Sequence, residues 1–176
     1  MPPADAPPRL VAVQPLTREA FLPYGELVTP GAQAGTPINA ASAQRFDAPG
    51  GIDVDDSGGA ACLTVFRTHD APAAGPIPLR AFERHRLGSQ TFVPLAGGRC
   101  LCVVTGGDCA PDESDVCAFI VGPGQGVTLR RGVWHHPLIT LGPADVLVIE
   151  RQAEQVDCEL QPITGSILVV LDGAAS

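Results

Sequence analysis

Short apolar runs, each closed by Gly, Pro or Asp, restrict most severely what this chain can become. Leu10 to Gln14, Glu26 to Thr29, Ala61 to Thr68, Cys100 to Thr105 and Val116 to Val121 open the series. Val127 to Arg130, Leu138 to Leu141, Asp145 to Arg151, Val156 to Leu160 and Ser166 to Leu171 continue it. Gly and Pro supply 20 and 18 of the 176 residues, without a collagen-like period. So many turn formers between short apolar segments predict strands rather than long helices. Strands that recur at short intervals pack as a closed sandwich or barrel. The expected fold is all-β, with one or two short helices. Thr17 is a plausible N-cap for a helix over Arg18 to Leu22, which Pro23 stops. The apolar run at the chain end needs a cover, in this subunit or another.

The length suits one buried domain and is short for two. Residues 1–9 read as a disordered tail and 10–176 as a single domain; 31–60 read as a loop-rich excursion. A formal charge of −8 argues against a nucleic-acid partner. No run reaches transmembrane length, and MPPADAPPRL lacks the apolar stretch of a signal peptide. No membrane partner is expected, and the location expected by default is cytoplasmic. Six cysteines (62, 100, 102, 109, 117 and 158) are an even number. Cys100, Cys102, Cys117 and Cys158 sit in apolar strand-like runs, so they read as reduced and buried, with no chemical role.

Two stretches carry the candidate chemistry. Glu83 to Gly97 reads ERHRLGSQTFVPLAG, and Gly124 to Leu138 reads GQGVTLRRGVWHHPL. If Glu83 to His85 is extended, alternation sends Glu83 and His85 to one face and Arg84 to the other. Polar groups on an inward face must be satisfied or used. His135 joins them as a candidate, whereas His136, its neighbour, points away in a strand. His69 reads as exposed and Trp134 as a core aromatic.

The pattern resembles the two motifs of the cupin barrels. The first of these is H-x-H, a short gap, E, six residues and G. Here Glu83-x-His85 precedes Gln90, and Gly97 follows at the same spacing. In the second, Gly124, Gly132 and His135 keep the spacing, with Arg130 in the Pro position and Ile139 in the Asn position. A closer resemblance, to the bacterial ureidoglycolate lyases, is carried by ERHxLGSQxFxPL and GVWHHPL. PLTREAFLPYGELV (Pro15 to Val28) and DVLVIER (Asp145 to Arg151) fit the same family. This resemblance implies a cupin-type antiparallel jelly-roll barrel that forms homodimers. It also implies cleavage of ureidoglycolate to glyoxylate and urea in allantoin-derived purine catabolism.

That reaction suits the residues. Ureidoglycolate is a hemiaminal, and its elimination needs a base for the hydroxyl proton and an acid for the departing nitrogen. His135, His85 and Glu83 are the catalytic candidates. Arg84, Arg130 and Arg131 are candidates to grip the carboxylate, with Gln90 and Tyr24 as further substrate contacts. Glu83, His85, Gln90 and His135 occupy the positions that bind a divalent ion in metal cupins, and nickel is the first choice. Whether a metal is held stays open at this point. Two other readings stand beside this one. One is another small-carboxylate metal cupin, an isomerase or dioxygenase; the other is a non-catalytic barrel that binds a small acid.

Overall fold

A computed structural model describes residues 7–31, 34–48, 51–54 and 58–171. The expected tail lies outside these residues except for its last three, of which Arg9 already belongs to the first strand. The chain opens with β1 (Arg9–Gln14), α1 (Arg18–Phe21) and β2 (Gly25–Val28). In the excursion, the short hairpin β3 (Thr36–Ile38) and β4 (Ala43–Arg45) pairs only with itself among the described residues. β5 (Ala60–Thr68), β6 (Ile77–Pro78), β7 (Ala81–Arg84) and β8 (Gln90–Pro94) follow. Next come β9 (Cys100–Thr105), β10 (Val116–Val121), β11 (Gly126–Leu129) and β12 (Trp134–His135). β13 (Ile139–Thr140), β14 (Ala144–Gln152), β15 (Glu159–Pro162) and β16 (Ile167–Val170) complete the set. The single helix among the described residues is capped as its sequence predicts, with the Thr17 hydroxyl accepting from Ala20 N at 3.1 Å.

Two sheets make the body. The larger runs β15-β7-β12-β9-β10-β1-β16-β6, with β13 also on β9. The smaller runs β2-β11-β8-β14-β5. The expected all-β cupin-type barrel is what the chain builds, and it is antiparallel except at β1. That strand runs parallel to both β10 and β16, so the larger sheet is mixed. The expected strand over Val156 to Leu160 lies later, at Glu159–Pro162, because Asp157 is committed to a turn contact described below. No helix among the described residues is long and apolar enough to cross a membrane.

β9 explains how the larger sheet curls. All six of its residues are buried. Cys100, Cys102 and Val104 join Phe92, Val127, Leu129, Val146 and Val148 in the core between the sheets. Leu101 and Val103 face the other way, into a second core with Phe82, Trp134, Ile167 and Val169. A strand covered on both faces reads as an unbroken apolar run, which is the pattern of Cys100 to Val104.

Candidate active site

The ladder registers bring the two motif stretches together. His135 lies opposite Glu83 on β7 and opposite Val104 on β9. Directly opposed residues share a face, so Glu83 and His135 point with Val104 into the core between the sheets. Phe82, Arg84 and Trp134 alternate to the second core. His85 follows the end of β7, and its carbonyl accepts from Gly132 N at 2.6 Å. Gly132 makes that turn at φ +80°, a conformation other residues adopt at a cost. One ligand atom each from Glu83, His85 and His135 lie within 4.8 Å of one another. The two imidazole rings are 5.6 Å apart at a 31° tilt.

Backbone carbonyls set the tautomers. His135 Nδ1 faces the Val133 carbonyl at 3.0 Å, and His85 Nδ1 faces the Asp157 carbonyl at 2.5 Å. A carbonyl only accepts, so Nδ1 carries the proton in each ring. Both Nε2 atoms are left buried without a hydrogen bond. The Glu83 carboxylate stands 3.6 Å from His135 Nε2. Burial pushes the Glu83 carboxyl up, but His135, His85 and the Cys158 thiol together outweigh it and hold it below the usual range. Two Nε2 lone pairs and a carboxylate, each ring anchored through Nδ1, form a donor set that fits a divalent cation. The same set fits proton transfer between a base and an acid.

Several supporting residues escape a motif reading. Asp157 clamps the motif turn: its carboxylate accepts from Arg86 N at 2.9 Å and Leu87 N at 2.7 Å, besides its carbonyl on His85. Only its remoteness in sequence hides it. Cys158, expected to be buried in a strand, is exposed ahead of β15, with Sγ 3.6 Å from Glu83 Oε2. Gln90 faces inward with Phe92, and its Nε2 donates to Glu150 Oε2 at 2.8 Å. Phe92 meets His135 edge-on at 6.5 Å between ring centroids. Behind His135 a narrow cleft of ≈ 10 Å³, lined by Phe92, Cys102, Leu129 and Leu138, has room for about one water. Glu83 is half-buried, and exposed Cys158 and Leu160 lie beside it.

The remaining candidates have other partners. Arg84 is 3% exposed, forks onto Glu159 at 2.8 and 3.1 Å, and lies 4.1 Å over the Trp134 ring. Arg130 donates to the Leu22 carbonyl at 2.9 Å and to that of Pro23. Arg131 pairs with Asp53. Tyr24 packs with Phe21 and Phe119, and its hydroxyl meets Cys117 Sγ at 3.3 Å. His136 is satisfied on both nitrogens, by the Pro137 carbonyl and by Arg80 N, and burial keeps its pKa below the ordinary value. His69 is exposed and Trp134 fully buried.

The family model for ureidoglycolate lyase matches residues 8–170. A ureidoglycolate lyase of Pseudomonas syringae pv. syringae is 36% identical over 165 residues, covering 93% of this chain and 96% of the relative. One of Burkholderia mallei is 37% identical over 166 residues, covering 93% and 95%. Another, of Azotobacter vinelandii, is 36% identical over 152 residues, covering 86% and 90%. With both motif stretches inside the match and their polar groups converging in one barrel, the chain belongs to the ureidoglycolate lyase family.

Proposed function

We propose that this chain cleaves ureidoglycolate to glyoxylate and urea. One observation carries the reading beyond family membership: Glu83, His85 and His135 converge with both Nε2 atoms buried and without a hydrogen bond. Glu83, ionised, accepts the substrate hydroxyl proton. The oxygen then forms the carbonyl of glyoxylate as the carbon–nitrogen bond breaks. That proton passes from Glu83 to the Nε2 lone pair of His135 and from there to the departing ureido nitrogen, which leaves both groups as they began. His85 orients the hydroxyl end. No nucleophile is needed, since the hemiaminal already holds the oxygen that becomes the carbonyl.

Glu83, His85 and His135 would also hold a divalent ion, nickel first. When bound, such an ion supplies Lewis-acid polarisation of the substrate hydroxyl and carboxylate. Single-turnover glyoxylate release from racemic ureidoglycolate, with and without chelator, tests both statements. Release that survives chelation assigns turnover to the proton transfers. Loss restored by one divalent metal assigns the three side chains to ligation. No release from metal-loaded, folded protein ends the reading.

The proposed setting is a single domain from residue 10 onward, in the cytoplasm, as a homodimer. Six free cysteines suit a reducing compartment. The dimer is supported by Leu63 and Val65, 70% and 55% exposed on the edge strand β5.

A further inference from the structure

Gln90 and Glu150 form a second polar pair inside the barrel, and neither motif explains Glu150. Gln90 is 4% exposed, and its Nε2 donates to Glu150 Oε2 at 2.8 Å. An ionised carboxylate only accepts, so this bond decides which end of the amide points where. Nε2 is turned to Glu150, and Oε1 is left buried with no partner. An unpaired buried acceptor is costly, and a ligand N–H removes that cost. Alternation on β8 puts Gln90 on the face of Phe92, whose ring meets His135. The ladder sets Gln90 against Leu129, which lines the cleft beside His135. Glu150 stands near Cys158, the thiol that touches Glu83, so the pair borders the three converging groups.

We propose that Gln90 is the ureido-recognition group of the site and that Glu150 is its positioning residue. Gln90 Oε1 accepts an N–H from the urea end of the substrate. Glu150 keeps an acceptor, rather than the Gln90 amino group, turned towards it. This rests on the ureidoglycolate reading above. The substrate is asymmetric in the same sense: acceptors, the carboxylate and hydroxyl, at one end, and donors, the ureido N–H groups, at the other. A buried acceptor selects the donor end and rejects a dicarboxylate of similar length, whose second carboxylate meets only lone pairs.

The test compares kcat and KM of wild type, Glu150→Gln and Gln90→Leu on ureidoglycolate and its N′,N′-dimethyl analogue. Bound metal and circular dichroism are measured in parallel. Wild type is expected to prefer ureidoglycolate by ~100-fold or more. Both variants narrow that preference by about tenfold, roughly one hydrogen bond, through KM more than kcat, at unchanged metal content. Unchanged preference in folded variants overturns the proposal. So does metal loss from Gln90→Leu in step with activity, which makes Oε1 a ligand. Glu150→Gln is nearly isosteric and carries the test if Gln90→Leu does not fold. Saturation-transfer NMR with urea separates this inference from the activity. Urea signal in wild type that vanishes in both variants supports the subsite even without turnover; no signal, or equal signal in all three, overturns it.

Discussion

The two histidines in the HHP triplet and the one in the ERH triplet differ in what their second nitrogen meets, and that decides their chemistry. His136 has both nitrogens satisfied, whereas His85 and His135 each keep Nε2 buried and open. His135→Ala is expected to lower kcat by ~100- to 10,000-fold at unchanged fold, measured by glyoxylate release and circular dichroism. His136→Gln is expected to shift thermal stability and leave kcat within a few fold. Near-normal turnover in the first removes His135 from the reaction. Asp157 offers a subtler case, because its backbone holds His85 while its carboxylate holds the turn. Asp157→Ala frees the turn and is expected to lower kcat by about tenfold or more, with little change in KM. Asp157→Asn, which keeps one acceptor, restores part of it; equal effects of the two substitutions would remove the turn clamp from the account. The motif residues were legible from the sequence because spacing and alternation fix their face. Asp157 and Glu150 were not, since each acts on a partner 60 or more positions away that no local pattern marks.

At the scale of elements, the strands themselves were readable: Cys100–Thr105 and Val116–Val121 fall where their apolar runs begin and end. Pairing was not, because alternation names a face and not a neighbour. The parallel contacts of β1 follow from chain geometry far from its own sequence. The turn from Arg130 to Val133 shows how one element serves another: Gly132 reaches back to the His85 carbonyl while Val133 fixes the His135 ring. Gly132→Ala meets no steric neighbour, so its cost is the positive φ alone, about 1–2 kcal/mol. Chemical denaturation measures it, and a cost near zero would mean the turn relaxes freely. The β7–β15 contact carries a pH dependence. Arg84 first, then Arg86, holds the Glu159 carboxyl down to about 2 from an ordinary 4.5. A depressed carboxylate contributes stability that is present above its unfolded pKa and lost as pH falls through the folded one. Wild type is therefore expected to lose stability between about pH 4.5 and 2. Arg84→Met should be less stable at neutral pH and flatter across that window. Identical pH profiles for the two proteins would show that the pair contributes nothing to the slope.

For the molecule as a whole, the question is what covers the outside of the smaller sheet. β5 is its edge, paired among the described residues only to β14, with nine residues in register from Ala60 to Thr68. Leu63 and Val65 stand 70% and 55% exposed on one face of it, opposite Ile149 and Leu147 of β14. Long apolar edges are normally blunted by charge, proline or a bulge, and here only Arg67, tied to Asp145, approaches that role. A homodimer that pairs these faces about a two-fold axis removes them from water at a stroke, since each copy offers the same patch to the other. Sedimentation velocity is expected to give a dimer for wild type and a monomer for Leu63→Asp/Val65→Asp. Neither substituted side chain faces the core, so the fold should survive. The site, built from β7, β8, β12, β14 and the turn before β15, uses no residue of β5, and the monomer should keep its activity. A monomeric wild type would leave the patch uncovered and refute the dimer. A variant that stays dimeric would move the interface elsewhere, and a folded monomer without activity would mean that the partner subunit completes the site.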